Sequence, residues 1–397
     1  MIIEKLNHQG HGIGYINNKI TFVPKSLPGD EVDVQITKKR PKYNEATIKR
    51  IMQSSKERIT PDCPFFATCG GCDLLHLTYS KTLEFKVNKV QEILAKYANL
   101  DLPLTIEQSP NPHNYRNKIT LKIVNQQIGY YTSGTHTIVP INNCLLAVPA
   151  INNFIADIPL LKINNGELTI RCNYNQELLI IIDTKDKLNI NYQLFKQKHK
   201  IVGFIINQKV VQGEGHFIEQ INNHLFQVNY DSFFQVNSAV LNIIANYCLT
   251  NLKPEETLID LYCGVGTFSI ILANKYQKVY GLEIMPSAIT NALINQKINH
   301  LANIKYLLGD VKTTITKIKE PVNAILIDPP RSGIDELTMN TIINLKPQTI
   351  CYISCEPITL ARDLNHLQEF YNINSIKLFD MFPYTNHVES IVFLERK

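Results

Sequence analysis

The sequence predicts an α/β protein: a C-terminal parallel sheet covered by helices, preceded by a small β-barrel and a β-rich central region. Three observations carry this prediction. Long helical patterns alternate with buried strand patterns after residue 236, short glycine-punctuated strands fill residues 1–52, and strands separated by Asn-rich turns dominate residues 53–236. At 397 residues the chain is too long for one hydrophobic core, so we expect three domains with these boundaries.

The N-terminal region shows alternating apolar and polar residues over 19–23 and 31–36, with the turn signal Pro28-Gly29-Asp30 between them. Further glycines occur at positions 10, 12 and 14. Short strands separated by glycine turns are typical of a small, OB-like β-barrel.

The central region begins with a Cys- and Gly-rich loop over 61–72, followed by a helical period of apolar residues over 77–97. Strands are then predicted over 118–124, 128–131, 168–172, 178–182 and 202–206.

The C-terminal region alternates helices with buried strands, which implies a parallel sheet with helices on both faces. Helices are predicted over 238–249, 268–273, 287–299, 336–344 and 358–368. Strands are predicted over 257–261, 278–282, 304–308, 324–327, 349–353, 375–379 and 389–394.

The positive charge is concentrated at the N-terminus. Residues 1–60 contain 11 Lys or Arg against 6 Asp or Glu, and the rest of the chain is balanced, so the net charge of +5 comes from this region. Such a stripe fits a phosphate backbone, although a solvated face is the simpler alternative. Without a signal sequence or an apolar run near ~20 residues, we expect a soluble cytoplasmic protein that does not enter the membrane.

A ligand loop is predicted where the strand ending in Asp260 meets Gly264 and Gly266 before a helix, because backbone amides at a helix N-terminus can bind a ligand there. Ser269 occupies the position of the third glycine of the dinucleotide fingerprint. This substitution argues against a nicotinamide cofactor and favours S-adenosylmethionine.

Acidic residues end the strands that follow. Glu283 can accept the ribose hydroxyls, Asp310 the adenine amino group, and Asp328 lies near the methionine end. Any one of them could be an ordinary surface acid, but their recurrence at successive strand ends favours a donor site.

Cys355 follows the strand over 349–353 and is the candidate nucleophile. Enzymes that methylate exocyclic amines place an aromatic residue after a motif such as Asp328-Pro329-Pro330, whereas Arg331 stands here. A thiolate that adds to carbon 6 of uracil makes carbon 5 nucleophilic toward a methyl donor. The carbon 5 proton must then pass to a base, for which Glu389 is the first candidate and His387 the second.

The strings Asp260 to Thr267, Ile327 to Arg331, Tyr352 to Pro357 and His387-Val388-Glu389 resemble the RNA 5-methyluridine methyltransferase family. The resemblance implies a Rossmann-like methyltransferase domain with Cys355 as nucleophile and Glu389 as proton acceptor. It implies donor contacts from Gln235, Tyr262, Glu283 and Asp328, and also from Asp310 and Thr267, the last standing where many members have Asn.

Three cysteines lie within ten residues, at positions 63, 69 and 72, and Cys144 is a candidate fourth ligand. Such a set of thiolates holds zinc or an iron-sulfur cluster, and His76 could complete a zinc site. In the ribosomal branch of the resembled family, Cys63, Cys69, Cys72 and Cys144 would hold a 4Fe-4S cluster.

The barrel resembles the TRAM domain, an RNA-binding module, through Phe22-Val23-Pro24 and residues 27–30. Together the resemblances imply a monomeric uracil-5-methyltransferase acting on 23S ribosomal RNA. Four alternatives remain: a transfer-RNA uracil-5-methyltransferase, a cytosine-5-methyltransferase, a radical methylthiotransferase and a non-catalytic iron-sulfur RNA-binding protein. The missing Pro-Cys pair argues against a cytosine-5-methyltransferase. The missing C-x3-C-x2-C motif and the N-terminal position of the barrel argue against a radical methylthiotransferase.

Overall fold

The computed structural model describes residues 1–132 and 134–397. The N-terminal sheet has the strand order β1-β2-β3-β5-β4. An antiparallel bridge between Ile2 and Glu31 links its two edges, so the sheet closes into a barrel around buried Ile3 and Val23. Its strands are β1 (Lys5–Leu6), β2 (Gly12–Ile16), β3 (Lys19–Val23), β4 (Glu31–Lys39) and β5 (Tyr43–Gln53).

The central region forms a seven-stranded sheet in the order β13-β12-β11-β10-β7-β8-β9, antiparallel except where β11 meets β12. A separate hairpin, β14 with β15, leads toward the C-terminal region. The elements in chain order are α1 (Tyr79–Ala98), β6 (Thr105–Glu107), β7 (Lys118–Val124), β8 (Gln127–Tyr131), β9 (Ile138–Pro140), α2 (Pro149–Ile155), a 3-10 turn (Ile158–Leu161), β10 (Gly166–Cys172), β11 (Leu178–Thr184), α3 (Tyr192–Lys198), β12 (Ile201–Ile206), β13 (Lys209–Gly213), β14 (His216–Ile221) and β15 (His224–Asn229).

The C-terminal region forms an eight-stranded sheet in the order β18-β17-β16-β19-β20-β22-β21-β6. Strands β16 to β20 are parallel, and β22 runs antiparallel to both β20 and β21. The elements are α4 (Ser238–Asn251), β16 (Glu255–Leu261), α5 (Thr267–Leu272), β17 (Tyr276–Glu283), α6 (Pro286–Ile298), β18 (Ile304–Leu308), α7 (Val311–Thr314), β19 (Ala324–Ile327), α8 (Glu336–Leu345), β20 (Thr349–Ser354), α9 (Pro357–Leu367), β21 (Tyr371–Phe379) and β22 (Glu389–Arg396), with 3-10 turns at Ala273–Lys275 and Ile315–Lys317.

The predicted α/β class, with a barrel and β-rich sheets before a methyltransferase-type sheet, is therefore confirmed. Helix α1 packs on this last sheet: Val90 and Ile93 are fully buried beside α9, and Gln368 donates to the carbonyl of Ala98 at 3.2 Å. Strand β6 extends the same sheet by pairing with β21. The domain boundaries at 52 and 236 stay predictions. Within the described residues, no helix is long and apolar enough to cross a membrane.

Candidate active site

The carboxyl ends of the parallel strands gather several of the predicted site residues. Asp260 lies near the end of β16, Glu283 ends β17, Asp328 follows β19 and Cys355 follows β20. Because neighbouring parallel strands end on the same edge of a sheet, these side chains lie side by side. Asp328 and Glu283 both act electrostatically on the Asp260 carboxyl, which agrees with this grouping.

The loop after β16 turns sharply through left-handed backbone conformations. Gly264 has φ 54° and Gly266 has φ 83°, a region that glycine adopts readily, and Tyr262 also has a positive φ of 61°. A side chain at Gly264 would meet no atom within 4 Å, so this stretch of backbone faces open space. The Glu283 carboxylate accepts the N–H groups of Gly264, at 3.1 Å, and Met285, at 2.8 Å.

Ser269 has a structural role that the sequence pattern did not reveal. Its hydroxyl donates to the Asp260 carboxylate at 2.5 Å, and both side chains are buried. The bond ties helix α5 to strand β16 at the base of the glycine loop. Burial raises the pKa of Asp260 to about 7, opposed by the bonds from Ser269 and assisted by the nearby Asp328 and Glu283 charges.

Cys355 and Glu389 lie at adjoining ends of two antiparallel strands, β20 and β22. Ser354, the last residue of β20, pairs with Ser390 of β22. Cys355 directly follows this last pair at the end of β20, and Glu389 is the first residue of β22. Two residues separated widely in sequence therefore lie near each other, with the Cys355 thiol within the electrostatic influence of the Glu389 carboxyl.

The surroundings of these groups favour their neutral forms. The pKa of Cys355 is raised to about 11, chiefly by burial and then by the Glu389 and Asp328 carboxylates, while the Arg331 guanidinium lowers it. Burial also raises the pKa of Glu389 well above its usual range, and that of Asp328 to about 7. The Arg331 guanidinium acts in the opposite direction and stabilises the Cys355 thiolate.

Arg331 is thus a site residue that the sequence analysis passed over, having noted it only as a departure from an aromatic. Its place directly after Asp328-Pro329-Pro330, at a strand end, was the available signal. The second candidate base, His387, has its pKa lowered to about 4 by burial and by the Arg331 and Lys89 charges, so it is a neutral imidazole near pH 7.

Of the remaining predicted donor residues, three follow the carboxyl ends of β16 and β18, and Gln235 lies on a separate segment. Tyr262 is the first residue after β16, and Thr267 begins helix α5. Asp310 caps helix α7 by accepting the N–H of Lys312 at 3.2 Å, and it pairs with the ammonium of that residue at 3.1 Å. Gln235 lies on the segment before α4, where its carbonyl accepts the Asn117 amide at 3.3 Å.

The four predicted cluster cysteines line one cavity of about 350 Å³. They sit beside basic residues of the central region, Arg116 and Lys118. Burial raises the pKa of Cys63, Cys69 and Cys72, and proximity to Cys144 contributes to each rise. Within residues 1–132 and 134–397, no set of three or more His, Cys, Asp or Glu side chains is drawn together in a metal-binding arrangement. His76 is not among the residues lining this cavity and stacks on Phe66, with ring centroids 5.2 Å apart.

Comparison with known proteins places this site in a family context. Residues 78–397 match the tRNA (uracil-5-)-methyltransferase family, and residues 1–49 match the TRAM domain. An uncharacterized RNA methyltransferase of Enterococcus faecalis is 34% identical over 100% of this chain and 97% of its own length. A second, from Halalkalibacterium halodurans, is 30% identical over 100% of this chain and 96% of its own.

A solved structure is similar over the whole chain. The tRNA (uracil-54, C5)-methyltransferase of Pyrococcus abyssi, in complex with S-adenosyl-L-homocysteine, superimposes with a TM-score of 0.82 at 26% identity. The match covers 99% of each chain.

Proposed function

The chain belongs to the RNA uracil-5-methyltransferase family and is an S-adenosylmethionine-dependent enzyme; we propose that it converts a uridine of 23S ribosomal RNA to 5-methyluridine through a covalent adduct with Cys355. The observation that supports the covalent mechanism is the pairing of β20 with β22, because Glu389, the first residue of β22, then lies close to Cys355, the residue after β20.

The proposed reaction divides between these two residues. The Cys355 thiolate adds to carbon 6 of uracil, and the electron pair of the carbon 5–carbon 6 bond becomes an enolate. Carbon 5 then takes the methyl group from the sulfonium, which leaves as neutral S-adenosylhomocysteine. Glu389 must have lost its own proton by this step; as a carboxylate it accepts the carbon 5 proton, the double bond re-forms, and the carbon 6–sulfur bond breaks to release the thiolate. Arg331 stabilises the thiolate at the start and the end of this sequence.

The donor would lie along the strand ends beside the glycine loop. Glu283 is held by two backbone N–H groups and can still accept ribose hydroxyls through its free lone pairs. We assign the adenine side to Asp310 and the methionine side to Asp328, with further contacts from Gln235, Tyr262 and Thr267. The fully enclosed Asp260 would act through Ser269 by fixing the glycine loop.

Two substitutions test the covalent mechanism. Cys355→Ala should bind S-adenosylmethionine normally yet lose methyl transfer, because no thiolate is left to activate carbon 5. Glu389→Gln should complete methyl transfer and then stall, which leaves RNA attached to Cys355 as a band that survives denaturing electrophoresis. Cys351→Ala is a suitable control, since this buried cysteine lies on β20, four residues before Cys355. Methyl transfer by Cys355→Ala would refute the proposal.

The choice of 23S RNA depends on the cysteine-lined cavity and the basic barrel. Because the Pyrococcus abyssi tRNA enzyme aligns with 99% of this chain, the barrel alone does not separate the two substrates, and transfer RNA is the second candidate. Purified enzyme should methylate fragments of 23S RNA in preference to transfer RNA carrying uridine 54. Faster turnover of the transfer RNA would overturn the assignment in favour of the second candidate.

We also propose that Cys63, Cys69, Cys72 and Cys144 hold a 4Fe-4S cluster. Support comes from the four thiols that line one cavity, since thiolates are the ligands that iron-sulfur clusters use. The cluster would tie the loop over 61–72 to the central sheet, and the methyl transfer itself needs no electron. Anaerobically purified protein should contain about four irons and four sulfides per chain. Cys69→Ser should lose them, and Cys172→Ser, a buried cysteine of β10, should not. Stoichiometric zinc in active, colourless protein would refute this assignment.

A further inference from the structure

The segment over residues 380–388, which we call the base loop, carries the chain from β21 to Glu389. Helix α1 holds it from one side: Lys86 donates to the Asp380 carboxylate and, at 2.8 Å, to the carbonyl of Phe382. Lys89, one helical turn further on, donates to the carbonyl of Asn386 at 2.9 Å. Hydrogen bonds from α1 therefore hold the base loop at its first residues and at Asn386, three residues before the proposed base.

The cysteine-rich loop holds the base loop from the other side. The carboxylate of Asp73, the residue after Cys72, accepts both the backbone N–H of Asn386, at 3.1 Å, and its side-chain amide, at 2.8 Å. The backbone N–H groups of Asp73 and Leu74 both donate to the carbonyl of Tyr384, at 3.2 and 3.0 Å. Four hydrogen bonds thus join two segments that are 313 residues apart in sequence.

We infer that Asp73 is a positioning residue for the reaction. Because its carboxylate binds both the backbone N–H and the side-chain amide of Asn386, it sets the direction in which the chain enters β22 and so keeps Glu389 close to Cys355. The inference rests on the proposed function, since it assigns the proton transfer to Glu389. A general base acts only within hydrogen-bond reach, about 2.6–3.2 Å from the proton it removes or through one water. A displacement of about 1 Å can cost roughly 100-fold in rate.

The chemistry separates a loss of positioning from a general defect. Addition of Cys355 to carbon 6 and methyl transfer both precede the step that needs Glu389. A uracil with fluorine at carbon 5 passes through these two steps and stops, because fluorine cannot leave as a cation to a base. Adduct formation on 5-fluorouridine RNA therefore reports the early steps, and release of 5-methyluridine from ordinary RNA reports the late one.

Asp73→Ala should form the adduct on 5-fluorouridine RNA within about threefold of the wild-type rate and should release product from ordinary RNA roughly 10- to 100-fold more slowly. The methylated adduct should accumulate on ordinary RNA. Asp73→Asn retains an oxygen that can accept both Asn386 bonds, so it should recover most of the release rate. Asp62→Ala, which removes an exposed carboxylate beside Cys63 in the same loop, should resemble wild type.

Equal slowing of both reactions, or a defect in Asp73→Asn as large as in Asp73→Ala, would overturn the inference, because either result indicates a role in RNA binding or in charge. Hydrogen exchange without RNA tests the positioning directly: the amides of Asn386 and His387 should exchange at least several-fold faster in Asp73→Ala than in wild type. Unchanged exchange refutes the positioning role whatever the reaction is. If wild-type enzyme forms no adduct on 5-fluorouridine RNA, the proposed function fails instead, and the exchange result still stands by itself.

Discussion

On the proposed assignment of Asp328 to the methionine side of the donor, donor binding should depend steeply on pH around neutrality. The pKa of Asp328 is raised to about 7 by burial, against an ordinary value of 3.8. Each pKa unit corresponds to about 1.36 kcal/mol, so the preference for the neutral carboxyl amounts to at most about 4 kcal/mol. Asp328 keeps some solvent contact at the end of β19, which makes the true preference smaller than this bound.

S-adenosylmethionine carries a positive sulfonium, and a nearby cation favours the ionised carboxylate. The pKa of Asp328 should therefore fall on donor binding, and the donor should bind more tightly as pH rises. The pKa values of Asp328 in the free enzyme and in the complex set the pH range of this effect. The donor affinity is at its maximum above about pH 8. Below about pH 7 it falls by up to about tenfold per pH unit, until the pH reaches the lower pKa that Asp328 has in the complex. Between pH 8 and pH 6 the dissociation constant should rise roughly tenfold.

Calorimetric titration with S-adenosylmethionine from pH 6 to 8 measures this slope, and buffers with different ionisation enthalpies count the protons released. Asp328→Asn should bind more weakly at pH 8 and should lose most of the pH dependence. Glu336→Gln, which changes an exposed carboxylate in α8, should retain it. A wild-type affinity that stays constant over this range, or a slope that persists in Asp328→Asn, would refute the reasoning.

Three further predictions concern other parts of the molecule. Lys86→Met should lower the free energy of unfolding by about 3–5 kcal/mol in denaturant titrations, because it leaves the buried Asp380 carboxylate without its cation. The double variant with Asp380→Leu should recover most of this loss, and a double variant as unstable as Lys86→Met would contradict the explanation. Arg331→Ala should raise the pKa of Cys355 and so slow its alkylation by iodoacetamide at neutral pH, roughly tenfold for each unit by which that pKa rises, and Arg331→Lys should be intermediate. An unchanged alkylation rate would show that Arg331 does not stabilise the Cys355 thiolate. Replacing the exposed basic residues of the hairpin between β4 and β5 by Gln should weaken RNA binding and leave donor affinity unchanged; these residues are Lys38, Lys39, Arg40 and Lys42. The slope of log K against log salt concentration should become shallower by about 0.7–0.9 for each lost phosphate contact. An unaltered slope would show that RNA binds elsewhere.

The sequence was most informative where local pattern determines structure. The alternation of helices and buried strands after residue 236 predicted the parallel sheet, and helix α8 begins at the predicted residue, Glu336. The antiparallel register between β20 and β22 was not readable, because strand pairing depends on packing between distant segments. Strand β6, at the edge of the same sheet, has only three residues, too few for any periodicity to show.

The same limit applies to the site. Strand-end acids such as Glu283 and Asp328 could be found one at a time, since each is marked by its own preceding strand. The roles of Ser269 and Arg331 were not predicted because each depends on a distant partner: Ser269 bonds Asp260, and Arg331 acts on the Cys355 thiol. Asp73 had no local signal, since its partner Asn386 lies near the other end of the chain.

The charges at this edge of the sheet indicate why the donor and the nucleophile belong together. Without ligand, Cys355 faces two carboxyls and one guanidinium, and burial further disfavours its thiolate. A sulfonium bound beside Asp328 adds a second positive charge, which offsets the carboxylate that it helps to ionise. Donor binding can therefore ionise Asp328 without further raising the pKa of the Cys355 thiol. A site that keeps its acids neutral until a cation arrives avoids holding several unpaired negative charges at one strand edge, which would otherwise destabilise the fold.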